Sequence, residues 1–161
     1  MLSIRPATRA DADAVWSFLE PVVRAGEVYT LPRDMTQVEA MDYWFASAHE
    51  SFVAAWDGVV VGSYYVRPNQ SGGGSHVANC GYLTSEAAQG RGVARAMLQH
   101  SLDHARRRGY RAMQFNFVIS TNERAVKTWQ SNGFNIVGTL PGAFHHPRLG
   151  YVDVYVVYRT L

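Results

Sequence analysis

The stretch Gln89-Gly90-Arg91-Gly92-Val93-Ala94 opens directly onto an amphipathic run that continues through Arg108. A glycine-rich turn leading into a helix aims several unpaired backbone N–H groups and the positive end of the helix dipole at one point, and such a point binds phosphate. The six residues alone also fit a plain strand-to-helix connection. Asn79, Asn116 and Asn122 supply neutral amides in or beside apolar stretches. Each amide either orients a small polar molecule or a water, or satisfies buried backbone. Asn122 also stands where a helix cap is expected. The strand holding Asn79 carries no carboxylate, so a general base there is either a water held by Asn79 or one of His145 and His146. Those two histidines fall in an expected loop, where plain surface exposure is the alternative.

These groups need a scaffold. Leu2 to Arg5 reads as a short strand ended by Pro6; Thr8 and Asp11 then mark a helix start, with Ala12, Val15, Leu19 and Val22 at helical spacing. A loop over Gly26 to Arg33 follows, containing Tyr29, and Thr36 caps a second helix with Val38, Met41, Phe45 and Ala48 inward. Ser51 to Trp56 and Val59 to Val66 flank Asp57-Gly58 and read as a hairpin. After the polar Gln70 to Ser75 turn, His76 to Leu83 forms a strand with Val77, Asn79, Gly81 and Leu83 on one face and Ala78, Cys80 and Tyr82 on the other. The helix after the glycine turn buries Val93, Met97, Leu98, Leu102 and Ala105. In the next strand Met113, Phe115 and Phe117 alternate with Gln114, Asn116 and Val118. Ser120 and Glu123 have capping-box spacing before a helix that closes at Asn132-Gly133. Phe134 to Leu140 is a strand, Pro141 to Leu149 a loop and Gly150 to Tyr158 a last strand. This order indicates a single α/β (α+β) domain over residues 1–161, a central sheet covered by helices.

Composition narrows the partners. Hydrophobic residues make up 47% and charged residues 17% of the chain, as in an ordinary globular protein. A net charge of +2 gives no ground for a nucleic-acid or membrane partner, and Arg106-Arg107-Arg108 suits the negative end of a helix dipole. Residues Met1 to Pro6 lack the apolar core of a signal peptide, and no run approaches the roughly 20 apolar residues of a membrane span, so a cytoplasmic protein is expected. Cys80 is the one cysteine, which excludes an intramolecular disulfide and a cysteine-built zinc site; no metal is expected.

The strand His76 to Leu83, the turn pattern Gln89-x-x-Gly92-x-Ala94 and the later Asn122-x-x-Ala125-x-x-x-Trp129-x-x-x-Gly133-Phe134 occur in the order and spacing of one family. Over nearly its whole length the chain resembles a GCN5-related N-acetyltransferase (GNAT). The resemblance implies a mixed sheet of about seven strands, with the fourth and fifth splayed apart, flanked by four helices. It implies acetyl-CoA as the acetyl donor, with the pyrophosphate held by backbone amides of Gly90, Arg91, Gly92, Val93 and Ala94, and Gln89 beside them; the side chains of Arg91 and Arg95 are solvated helix residues by default, or else lie near the CoA phosphates. Main-chain groups near Leu83, Thr84 and Ser85 would bond the pantetheine arm, and Asn122 would both cap its helix and reach the same arm. Trp129 departs from the pattern, because many relatives carry there a tyrosine that protonates the departing thiolate, and indole has no accessible pKa. Trp129 is then either a wall of the cofactor channel or core packing.

A narrower likeness rests on Asn79-x-Gly81, Phe115-Asn116-Phe117-Val118 and Thr121-Asn122, which resemble the fungal acetyltransferases acting on L-azetidine-2-carboxylate and other proline analogues. It implies Asn79 and Asn116 as the catalytic, acceptor-contacting pair. Tyr29, for which ordinary packing is the equal alternative, and His145 are further candidates for the acceptor wall. The expected enzyme moves acetyl from acetyl-CoA directly to the amine of a small molecule, an amino acid or cyclic analogue. Alternatives left open are an antibiotic, a polyamine or a protein N-terminus as acceptor, or an acyl-CoA-binding module without transfer. The apolar Tyr151 to Tyr158 strand fits either a homodimer contact or burial within one chain.

Overall fold

The computed structural model describes residues 1–161. Strand β1 (Leu2–Pro6) is followed by helices α1 (Ala12–Ala25) and α2 (Gln37–Trp44), then by strands β2 (Glu50–Trp56), β3 (Val59–Pro68) and β4 (Val77–Thr84). Helix α3 (Val93–Arg107), strand β5 (Ala112–Ile119), helix α4 (Glu123–Ser131) and strands β6 (Asn135–His146) and β7 (Gly150–Thr160) complete the chain. The strands form one seven-stranded sheet in the order β1-β2-β3-β4-β5-β7-β6. Every neighbouring pair is antiparallel except β4 and β5.

The sheet divides the core in two. Ala78 and Cys80 of β4 face α3, packing with Met97, Leu98 and Leu102, whereas Tyr65 of β3 and Leu83 of β4 face α1 and α2, packing with Val15, Leu19 and Trp44. Period-two alternation along β3 and β4 sends neighbouring side chains to these opposite layers. No helix is long and apolar enough to cross a membrane.

Local chemistry explains the element starts. Asp57 and Gly58 both have positive φ (49° and 85°), as the tight β2–β3 turn requires. Thr8 and Asp11 form a reciprocal capping box ahead of α1, and Asp11 also takes a bidentate pair from Arg5 of β1, at 2.9 and 2.8 Å. The Arg5 guanidinium is the main reason that the Asp11 carboxyl is held down at about 2. Thr36 accepts from the Glu39 N–H at the start of α2.

Four expectations change. In α2 the inward residues are Ala40, Met41 and Trp44, while Val38 is 70% exposed and Phe45 lies at the C-cap. An eight-residue helix accommodates either stripe, and Trp44 decides it by burying its ring and donating its indole N–H to Ser63 Oγ at 2.8 Å. Of the two cap positions read for α4, Asn122 holds and Ser120 does not: the Asn122 Oδ1 accepts from the Ala125 N–H at 3.3 Å. The residues read as a loop from Pro141 are strand through His146, because register shifts between Leu140 and Phe144 absorb Pro141 and Gly142 on an edge strand. In β5 the alternation breaks: Phe115 faces Val157 and Val118 faces Tyr155, so β5 carries one extra residue and Phe117 comes out 38% exposed.

Candidate active site

The sheet opens where β4 meets β5. The two strands pair only through Val77 with Ala112 and Ala78 with Met113. At the next step the side chain of Asn79 takes over, its Nδ2 donating to the Gln114 carbonyl oxygen at 3.0 Å. Beyond that point the bulge at Asn116-Phe117 bends β5.

The main chain of β4 is consequently divided. Asn69 N–H donates to the Val77 carbonyl and Ser85 N–H to the Val61 carbonyl, so odd-numbered residues of β4 bond towards β3. Ala78, Cys80, Tyr82 and Thr84 therefore turn their N–H and C=O groups the other way, and past Ala78 no strand receives them. Of the three residues expected to present main-chain groups to a cofactor, Thr84 faces the gap, while Leu83 and Ser85 turn theirs towards β3. The Oγ of Ser85 is buried without a partner.

A cavity of about 510 Å³ fills the opening. Tyr29, Asn79, Leu83, Thr84, Gln89, Asn116, Asn122 and Trp129 all line it, so most of the residues singled out from the sequence come together. Ser85 and Gly90 to Arg95 lie outside the lining, the turn residues continuing from Gln89 at its edge. Asn79 is buried and accepts on Oδ1 from Arg67 Nε at 3.2 Å. Asn116 accepts from Gln114 Nε2 at 2.9 Å and donates to Asn69 Oδ1 at 2.6 Å. Both amides are thus satisfied within the chain and exposed to the cavity at once. The Tyr29 hydroxyl donates to the Tyr82 carbonyl at 2.6 Å, and burial pushes its pKa well above the ordinary phenol range. Burial likewise pushes the Cys80 thiol up to about 12, leaving it protonated and unreactive at neutral pH. Trp129 is half-buried and lines the cavity, its ring 4.7 Å from that of Phe115 and 5.3 Å from that of Tyr82, so it is core packing and cavity wall together.

The glycine turn is built from main chain. Gly92, at φ 75°, is the residue preceding α3, and Gly90 has φ 73°; both conformations strain any residue with a Cβ. The N–H groups of Gly90, Gly92, Val93, Ala94 and Arg95 donate to no carbonyl or side chain of the protein. They surround the N-terminus of a 15-residue helix, an arrangement that fits a pyrophosphate. The Arg91 guanidinium lies over the Trp56 ring, 5.2 Å from its centroid, and Arg95 projects into solvent.

His145 stands apart. It is an exposed strand residue stacked on Tyr151 at 4.6 Å, outside the cavity, and His146 is buried, its Nδ1 accepting from the N–H groups of Arg148 and Leu149. Neither reaches Asn79. Conversely, Arg67, Tyr43 and Tyr65 line the cavity without having been singled out. Tyr65 lies across Gly81, where an added Cβ would come within 2.6 Å of its ring, and its hydroxyl meets that of Tyr43 at 2.9 Å. The β3–β4 register, Tyr65 opposite Gly81 and Arg67 opposite Asn79, is the signal that finds them.

Residues 16–134 match the Acetyltransferase (GNAT) family. The chain belongs to that family. It is 28% identical to N-acetyltransferase aca1 of Schizosaccharomyces pombe over 86% of this chain and 75% of that protein. Among solved structures, a GCN5-related N-acetyltransferase from Kribbella flavida superposes with a TM-score of 0.95 at 44% identity, covering 99% of this chain and 98% of that one. The yncA protein of Salmonella typhimurium, solved with its cofactor acetyl-CoA, shares the fold with a TM-score of 0.86 at 22% identity, over 100% of this chain and 94% of that one.

Proposed function

We propose that this acetyltransferase acts in the cytoplasm on the amine of a small molecule, an amino acid or a cyclic, proline-like analogue. One observation carries it: the two strands that diverge each place an asparagine, Asn79 and Asn116, on the wall of the cavity that leads through Gln89 to the glycine cradle. Acetyl-CoA, when bound, supplies the acetyl group as an activated thioester. The free N–H groups of Gly90 and of Gly92 to Arg95 would bind its pyrophosphate, the Arg91 N–H being spent on the Ala88 carbonyl at 3.2 Å, and Thr84 and Asn122 would bond the arm that enters the gap; the Asn122 Nδ2 has no partner in the chain. The N–H groups of Cys80 and Tyr82, turned to the gap, would be the donors for a thioester carbonyl oxygen. Asn79 Oδ1 keeps a lone pair beyond its bond from Arg67, and it orients the amine or the water that removes its proton. Trp129 has no proton to give at neutral pH, so protonation on that side falls to water. Holding two reactants in one cavity supplies much of the rate.

The lining carries no carboxylate, which weighs against a polyamine or an aminoglycoside. Trp129 in place of a hydroxyl favours one second reading, a module that binds acyl-CoA without transfer. A thiol-release assay over an amine panel separates them. Release with azetidine-2-carboxylate or cis-4-hydroxyproline supports the acceptor assignment. Release with only a polyamine or an aminoglycoside contradicts it, and tight acetyl-CoA binding with no release at all selects the second reading. For assembly we favour a homodimer through the edge strand β6, where Ile136, Val137 and Leu140 are exposed beside unpaired backbone. Light scattering at the dimer mass is the expected result.

A further inference from the structure

Arg67 is the only charged side chain on the cavity wall. It stands opposite Asn79 in the β3–β4 register, so both project into the layer that α1 and α2 cover. Its Nε is spent on Asn79 Oδ1, at 3.2 Å, and this bond holds the guanidinium at the wall. Its Nη1 and Nη2 make no hydrogen bond to the protein, and no aspartate or glutamate lies within ion-pair distance of it. The groups packed beside it are neutral at pH 7: the Tyr65 phenol is pushed well above its ordinary pKa, chiefly by burial, and the His49 ring stacked on Tyr65 at 4.1 Å is pushed down for the same reason.

A half-buried guanidinium with a free two-pronged edge, and no counter-ion, is a receptor for a planar oxyanion. We propose that Arg67 is the anchor for the carboxylate of the acceptor, so that the substrates of this enzyme are amines bearing a carboxylate within a few bonds of the nitrogen. The inference rests on the amino-acid reading of the site and sharpens it. Asn79 accepts from Arg67 and borders the opening of the strands, so one pair of residues fixes the acid at one end and the amine at the other. An amine lacking the acid leaves the guanidinium desolvated and unpaired, and a polycation meets like charge.

The test compares an acid with its carboxamide. Azetidine-2-carboxylate and azetidine-2-carboxamide are titrated calorimetrically into the full-length protein with CoA present, and thiol release is measured for both with acetyl-CoA. The parent and Arg67→Gln are compared, each checked for an unchanged thermal melt, with Arg67→Lys as the charge-conserving control. The expected result is a preference of the parent for the acid of roughly 10- to 100-fold. Arg67→Gln abolishes that preference by weakening the acid alone, while the amide affinity and the acetyl-CoA KM stay within about threefold, and Arg67→Lys restores part of it. Equal weakening of acid and amide by Arg67→Gln, or no preference in the parent, overturns the inference. If the acid binds in an Arg67-dependent way but releases no thiol, the anchor stands and the acceptor assignment falls. Release with amines that lack an acid, and not with the acid, leaves the transferase standing and removes the anchor.

Discussion

The two ends of the proposed site, the glycine turn beyond Gln89 and the cavity itself, are made of different materials. The donor end is main chain: glycines at positive φ, free N–H groups and a helix start, all within six consecutive residues. The acceptor end is side chain: Arg67 from β3, Asn79 from β4, Asn116 from β5, Tyr29 from the α1–α2 connection and Tyr43 from α2. A contiguous backbone device tolerates change in everything but its glycines. A device of converging side chains changes its ligand when one residue changes. One fold can therefore keep its donor and vary its acceptor.

Substitutions that break this contrast are expected to have unequal effects. Gly92→Val has the largest: a β-branched residue at φ 75° disturbs the cradle, raising the acetyl-CoA KM roughly 30- to 100-fold while the acceptor KM holds. A parallel rise in both constants in steady-state kinetics would merge the two ends. Gly81→Ala comes next and strikes the acceptor end. Its Cβ would lie 2.6 Å from the Tyr65 ring, so the phenol must shift, at a cost of about 1–3 kcal/mol in denaturant unfolding and with a higher acceptor KM.

Asp11→Asn tests the support of that end, because Asp11 ties the start of α1 to β1. A loss of about 1–2 kcal/mol is expected at neutral pH. The folded carboxyl titrates at about 2, below its ordinary 3.8, so its contribution is complete above the ordinary value and disappears as pH falls through about 2. Thermal melts of parent and variant should then converge as pH falls, with a small difference left at pH 2 where the carboxyl is half-titrated; a difference that does not shrink between neutral pH and pH 2 contradicts the ion-pair account. His145→Ala is expected to do nothing to either KM, since its ring packs on Tyr151 outside the cavity.

The same contrast explains what could be read without coordinates. The cradle, the Asp57-Gly58 hairpin and the α3 core stripe are local patterns, and each is present where the residues place it. Asn79 and Asn116 were legible as amides in apolar strands, and their meeting at one cavity followed from the family resemblance. Arg67 and Tyr65 were not legible, because their role depends on the pairing of β3 with β4 across the Gln70–Ser75 turn. The β5 bulge was invisible for a related reason: its extra residue exists only relative to β7. His145 was misplaced because Pro141 looked like the end of a strand, and an edge strand with a register shift absorbed it.

The central claim is that donor and acceptor meet where β4 and β5 part, with Asn79 and Asn116 facing the acceptor. Steady-state thiol release with azetidine-2-carboxylate, for the parent, Asn79→Ala and Asn116→Ala, tests it most directly. The account predicts that each variant raises the acceptor KM or lowers kcat by roughly 10-fold or more, with the acetyl-CoA KM within about threefold of the parent. Normal acceptor kinetics in both variants would contradict it.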